Sequence, residues 1–197
     1  MPEQTRTELW LVRHGETEWS RSGRHTSVTD LELTEHGVDQ ARELRLRPAD
    51  FDLVLSSPLR RARQTAEIAG FGDLVEVDEN LVEWNYGDYE GLTTPQIREQ
   101  VSDWRIWTHP MPNGETQRQV MERLGRVVSR VRESGADRAI AFAHGHSLRV
   151  LALAWLGLDI TRGANFTLQT ATVSVLGYEK ESPALLRWNA VPDGSVR

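Results

Sequence analysis

Short apolar bursts alternate with helix-length amphipathic stretches along most of the chain. The bursts LWLV (9–12), FDLVLS (51–56), LVEV (74–77), AIAFA (139–143) and TVSVLGY (172–178) have strand length and predict strands. Residues 35–46, 58–69, 94–107, 115–134 and 147–157 read as helices, the longest carrying Val120, Leu124, Val127, Val128 and Val131 at helical spacing. The alternation predicts an α/β domain, a mostly parallel mixed central sheet flanked by helices. A last burst, 184–191, follows 172–178 across EKESP and predicts an antiparallel edge hairpin. No repeat, low-complexity tract or linker interrupts the pattern, so residues 1–197 read as one domain.

Three of the predicted strands run directly into basic residues. LWLV meets Arg13-His14-Gly15, FDLVLS meets SPLRRAR, and AIAFA meets His144-Gly145-His146. In open α/β sheets ligands bind beyond the carboxyl ends of the strands. Arginine and histidine gathered there suit a phosphate or a carboxylate.

The segment SSPLRRARQTAE sharpens this expectation. Ser57 and Pro58 suit the N-cap and first position of a helix. Arg60, Arg61 and Arg63 then oppose the positive end of the helix dipole, at a cost of a few tenths to ~1 kcal/mol each. A solvated basic face is one reading; an anion docked at the helix N-terminus, which offsets the repulsion, is the one favoured. In LVEWNYGDYEG (81–91), Glu83 lies in an aromatic, glycine-punctuated loop. Desolvation by Trp84 and Tyr86 there favours a protonated carboxyl, which suits a general acid.

Composition removes several alternatives. The chain has no cysteine, which excludes disulfides, zinc–thiolate sites, Fe–S clusters and thiol nucleophiles. A formal net charge of -6 argues against nucleic-acid and membrane-surface partners. No apolar stretch is long enough to span a bilayer, and MPEQTRTELWLV lacks the pattern of a secretory leader. The expectation is a cytoplasmic protein, and a homo-oligomer is compatible with it.

The charged stretches together carry a resemblance. LVRHGETEWS resembles the R-H-G-[ED]-[ST]-x-x-N signature of the histidine phosphatase superfamily, the phosphoglycerate-mutase-like enzymes. SSPLRRARQTA is similar to its S-x-L-x-R-A-x-x-T stretch, LVEWNYGDYEG to its L-x-E-x-x-x-G-x-x-E-G loop, and AFAHGHSLR to its A-H-G-x-x-x-R segment. All four occur in the family's order between residues 11 and 149, and the small acid-phosphatase-type members are the most similar.

The resemblance implies a phosphomonoester hydrolase that forms a phosphohistidine on His14. Glu83 would protonate the leaving oxygen and then activate water, while Arg13, Arg61 and His144 would hold the phosphoryl oxygens. Ser20, Thr26 and Gly145 complete the implied substrate site, and neither metal nor other cofactor is implied. For His14 to attack, its free nitrogen must be neutral, and a hydrogen bond from the other ring nitrogen to a carbonyl would fix that tautomer. Two positions depart from the family pattern: Ser20 replaces the usual Asn, and Ser27 replaces the usual Gly after Thr26. Both line the phosphate pocket in the family, and Ser20 retains one hydrogen to donate.

Rival readings remain weaker on chemistry. A metal held by His14, Glu83, His144 and His146 would face repulsion from the neighbouring arginines. GHSLR nearly matches a serine nucleophile elbow but ends on Arg149. DLELT (30–34) lacks the second aspartate of aspartate-dependent phosphatases and reads as a turn with Thr34 capping a helix. A non-catalytic phospho-ligand binder would not need both the nucleophile and the acid. A mutase, or a bisphosphoglycerate or sugar-bisphosphate phosphatase, stays closest. The short 92–113 segment and the end of the chain soon after the hairpin favour an open pocket and water as the acceptor. His25, His36 and His109 read as surface or packing residues, His25 being near enough to touch a ligand. Trp104 and Trp107 read as core.

Overall fold

The register between two parallel strands brings the site together. In a computed structural model that describes residues 6–191, β1 (Glu8–Arg13) pairs in parallel with β4 (Arg138–Ala143), Arg13 opposite Ala143. β4 also pairs in parallel with β2 (Leu53–Ser56), Ser56 opposite Phe142. The next residue of each strand is therefore His14, His144 or Ser57, and all three emerge side by side at the carboxyl edge. The backbone amides of His14 and Ser57 confirm the register by donating to the carbonyls of Ala143 and Phe142, each at 3.0 Å.

The six strands run in the order β3-β2-β4-β1-β5-β6, with β3 (Glu76–Val77) parallel to β2. β5 (Val173–Glu179) is antiparallel to β1 and forms the expected hairpin with β6 (Ser182–Ala190) at the sheet edge. The mixed, mostly parallel sheet agrees with the sequence reading.

Strand periodicity sorts the core into two layers. Leu9, Leu11, Ala139 and Ala141 face α5 (Gln117–Glu133) and α6 (Gly145–Leu156), packing with Val120, Leu124 and Leu151. Val12, Ile140 and Phe142 face the opposite way, against α3 (Arg60–Ile68) and the buried Phe71. α5 forms where its apolar stripe predicts, capped by the reciprocal Thr116–Gln119 box. Thr34 caps α2 (Glu35–Glu43) by accepting from Gly37 N–H, as the DLELT turn predicts.

Four local expectations need correction. The 94–107 helix is only α4 (Thr94–Arg98): beyond it Trp104, Ile106, Trp107 and Met111 turn into the core, and burial of these side chains overrides helical continuation. Ser57 does not cap α3, which starts at Arg60 after Leu59; its hydroxyl instead accepts from Leu59 N–H and meets His144. α6 starts at Gly145, two residues earlier than its apolar pattern indicates. A five-residue helix, α1 (Glu18–Ser22), was not expected at all, because its stabilisation is the local Thr17–Ser20 capping box rather than periodicity. The first five residues of the segment read as lacking a leader, and residues 192–197 of the proposed domain, lie outside the described residues.

Two backbones cross closely beside His14. A Cβ at Gly15 would lie 2.4 Å from the carbonyl oxygen of Gly37, and one at Gly37 would lie 2.1 Å from that of Glu16. No side chain fits at that distance, so α2 can reach the His14 loop only through glycine. Gly37→Ala is expected to destabilise the fold by about 2 kcal/mol, the scale of overpacking without room to relax. A denaturant midpoint equal to that of the unsubstituted protein would refute this account of the crossing.

Candidate active site

A cavity of about 170 Å³ opens at the carboxyl edge of β1 and β4, lined by Arg13, His14, Ser20, Arg24, His25, Thr26, Glu83, Tyr86, Gly145, His146, Arg149 and Leu168 among others. Six of the eight residues named from sequence line it: Arg13, His14, Ser20, Thr26, Glu83 and Gly145. Arg61 and His144 do not; both are fully buried.

His14 has the tautomer needed by a nucleophile. Its Nδ1 lies 2.7 Å from the Gly15 carbonyl, to which only an N–H can donate, so the proton sits on Nδ1 and Nε2 keeps its lone pair. Burial holds its pKa well below the usual histidine value, and the guanidinium groups of Arg61 and Arg13 press it in the same direction. The loop is fixed from beneath: Gly15 N–H donates to Thr65 Oγ1 at 3.0 Å, and that hydroxyl donates to the Arg61 carbonyl in α3.

Arg61 and His144 form a buried pair next to His14. Arg61 Nε donates to His144 Nδ1 at 3.0 Å, and its terminal nitrogens donate to the carbonyls of Thr26, Ser27 and Thr29. His144 therefore carries its proton on Nε2, 2.8 Å from Ser57 Oγ, and its ring centroid stands 5.3 Å from that of His14. Burial and then Arg61 keep His144 neutral, its pKa well below normal. Of the three arginines that open α3, only Arg61 turns inward. Arg60 is exposed and pairs with Glu32, and Arg63 is exposed as well.

Glu83 is held by backbone. Its Oε1 accepts from Trp84 N–H at 2.8 Å and Ser147 N–H at 2.7 Å, and its Oε2 from His146 N–H at 3.0 Å. The carboxylate thus caps the first turn of α6, where peptide dipoles favour a negative group. Arg123, buried on α5, fixes the same loop through the carbonyls of Asn80 and Val82 at 2.6 and 2.9 Å. An arginine amid the apolar positions Val120, Leu124 and Val127 was a sequence signal for such a role, and it went unread.

Arg13 enters along β1 and donates to the Leu168 carbonyl at 2.5 Å, while its Nε is buried without a partner. A Cβ at Gly145 would lie 3.3 Å from Arg13 Cζ, so glycine is what lets the guanidinium lie flat on the start of α6.

The two departures from the family pattern have different fates. Ser20 lines the cavity, but its hydroxyl donates to the Thr17 carbonyl at 3.0 Å and accepts from Thr17 N–H at 2.8 Å. The hydrogen expected to serve a ligand is spent in the α1 capping box. Ser27 does not line the cavity; it is buried with its N–H and hydroxyl on the Glu90 carboxylate. Thr26 stays at the cavity with its hydroxyl on the Arg24 carbonyl at 3.1 Å.

His25, His146, Tyr86, Arg24, Arg149 and Leu168 line the cavity too. Tyr86 OH lies 2.7 Å from His146 Nδ1; burial raises the phenol's pKa, so the hydroxyl donates and His146 keeps its proton on Nε2. Burial also keeps His146 well below its normal pKa and lowers that of His25 to about 4. Arg149 was legible as the last residue of AHGHSLR, four positions after Gly145 and so on the same helix face. Leu168 had no signal, because a distant loop brings it in. Trp104 and Trp107 are core as expected, buried and absent from the cavity lining. Ser147 is buried with its hydroxyl on the His144 carbonyl, which leaves the serine-elbow reading without an accessible nucleophile.

Sequence and structure comparisons place the chain. The profile of the histidine phosphatase superfamily (branch 1) matches residues 9–191, and the chain belongs to that superfamily. It is similar to an acid phosphatase of Mycobacterium tuberculosis, 44% identical over 179 residues, covering 87% of this chain and 86% of that protein. It is also similar to a sedoheptulose 1,7-bisphosphatase of Saccharomyces cerevisiae, 37% identical over 185 residues, covering 77% and 68% respectively. A solved open-reading-frame product of Mycobacterium tuberculosis superposes with a TM-score of 0.89 at 39% identity, covering 94% of this chain and 98% of that one. The chain is a histidine-dependent phosphatase of phosphoglycerate-mutase-like fold, for small phosphate esters. Among the described residues no helix is long and apolar enough to cross a membrane.

Four histidines with depressed pKa values, His14 and His144 buried and His25 and His146 half-buried, link stability to pH. The unfolded chain binds protons at these sites near pH ~6.5, whereas the folded chain refuses them until lower pH. Protons therefore favour the unfolded state, and stability falls as pH drops below ~6.5. The contribution of His25 is lost between that pH and about 4. Urea midpoints are expected to decline from pH 7 to pH 5; a flat profile would show that the histidines titrate normally.

Proposed function

We propose that this chain hydrolyses phosphomonoesters through a phosphohistidine on His14, with Glu83 as general acid and then general base. The observation that carries the reading is the His14 tautomer: a neutral ring with its free nitrogen at a cavity beside Arg13. In the first step Nε2 attacks phosphorus, the bond to the ester oxygen breaks, and that oxygen takes a proton from Glu83. In the second, Glu83 takes a proton from water as the water oxygen displaces His14 from phosphorus. Charge grows on the phosphoryl oxygens, and preorganised cations stabilise it. Arg13, with its unpaired Nε, supplies direct contact. Arg61 and His144 support the same group from behind His14, and Gly145, Thr26 and Ser20 shape the wall.

Because His14 stays neutral in mild acid, the nucleophile persists there, which supports an acid-leaning optimum. The nearby arginines favour a metal-independent site by repelling cations. The reading extends to one domain over 1–197, broad specificity, a cytoplasmic location and no nucleic-acid partner, the last supported by the net charge of -6. It leaves room for a homo-oligomer. A sugar-bisphosphate substrate is the second reading, favoured by the similarity to the yeast bisphosphatase.

His14→Ala is expected to abolish phosphate release while the circular dichroism spectrum is preserved, since the neighbouring His146 has its unprotonated Nδ1 engaged by Tyr86 OH and cannot take over the attack. The unsubstituted enzyme, quenched during turnover, is expected to carry acid-labile phosphate on His14. Phosphate release by the alanine variant at the native rate would overturn the covalent route.

Glu83→Gln is expected to slow phosphoenzyme formation from an alkyl phosphate by ~10²-fold or more, the scale of lost general-acid catalysis. With an aryl phosphate whose leaving group needs no proton, the same step is expected to slow far less. Equal losses on the two esters would remove Glu83 from the leaving-group role.

A further inference from the structure

The mechanism above uses Arg13, Arg61, His14, His144 and Glu83, yet the cavity wall holds further cationic groups. Arg149 is the most constrained of these. Its guanidinium lies over the Trp107 ring at 4.4 Å and donates to the Gly163 carbonyl through one terminal nitrogen. Its Nε is buried without a hydrogen-bond partner. No carboxylate among the described residues lies within ion-pairing distance of it, although the chain pairs exposed arginines such as Arg21, Arg42 and Arg118.

These observations fit a ligand site better than a structural tie. The Gly163 carbonyl needs one donor, which a neutral side chain could supply without a buried charge. A half-buried cation with no ion pair and an unsatisfied, buried Nε–H is disfavoured unless something anionic arrives to meet it. Stacking on Trp107 holds the planar fork in one orientation, so little freedom is lost when it grips two oxygens. Burial pulls its pKa down to about 10, which leaves it fully charged near neutrality. Arg24, also on the lining, adds a second positive group without an ion-pair partner among the described residues.

We infer that Arg149 is a specificity-determining residue that holds a second anionic group, a carboxylate or a second phosphate, on the same ester whose phosphoryl group faces His14. The inference rests on the phosphatase reading and deepens it. Arg149 does not touch the reacting atoms; it selects which ester sits against them.

The test compares phenyl phosphate with 3-carboxyphenyl phosphate, which differ by one carboxylate remote from the bond that breaks. In the unsubstituted enzyme kcat/KM is expected to favour the carboxylated ester by about tenfold, mainly through KM. In Arg149→Met, and in Arg149→Gln, which keeps a donor for Gly163, that ratio is expected to fall to about one. A ratio near one in the unsubstituted enzyme overturns the proposal even if neither variant folds. So does a ratio that survives both substitutions, because a structural role depresses both esters together. Absence of turnover on both esters by the unsubstituted enzyme would instead count against the underlying phosphatase reading.

Discussion

Everything at this site depends on the parallel pairing of Arg13 with Ala143. That register sets His14 and His144 on adjacent strands at one level, and the neighbouring strand adds Ser57 at the same edge. Two histidines so close would repel if both were charged. Burial and the shared Arg61 resolve the conflict by keeping both rings neutral. Arg61 thus keeps its own charge beside the cavity while helping to leave the His14 ring its lone pair.

Such an arrangement is costly in an empty site. Burying a guanidinium removes several kcal/mol of hydration, and Arg61 recovers it through carbonyls rather than a direct ion pair. A carbonyl satisfies the donors without cancelling the charge, so the positive field beside His14 remains. Glu83 follows the opposite logic. Its negative charge is accommodated by amides at the start of α6, which keeps the carboxylate oriented without pairing it to Arg13 or Arg61. Glu83 and Arg13 therefore line one small cavity without forming an ion pair.

The aromatic wall protects these relationships. Trp84 and Trp107 pack edge to face at 5.8 Å, and Trp107 carries both Arg149 and the ring of His146. The indoles are core by burial, but they orient polar groups on their outer side. A core residue can set specificity without touching a ligand, because it decides how a long side chain lies.

The alternation of apolar bursts and amphipathic stretches determined the α/β class, the edge hairpin and most helices, because strand and helix periods are local properties of the chain. The four charged segments likewise pointed to Arg13, His14, Arg61, Glu83 and His144, and the structure gathers all five around one strand edge. Tertiary structure alone decided the rest. It ended α4 at Arg98, because burial of Trp104, Ile106 and Trp107 outweighs the continuation of a helix. It spent the Ser20 hydroxyl on Thr17 and placed Ser27 on Glu90, choices set by distances of a few tenths of an ångström that no residue type encodes. It also drew Leu168 to the cavity by a remote loop. Contacts between segments far apart in the chain depend on how layers pack, and that information exists only once the sheet and helices are assembled.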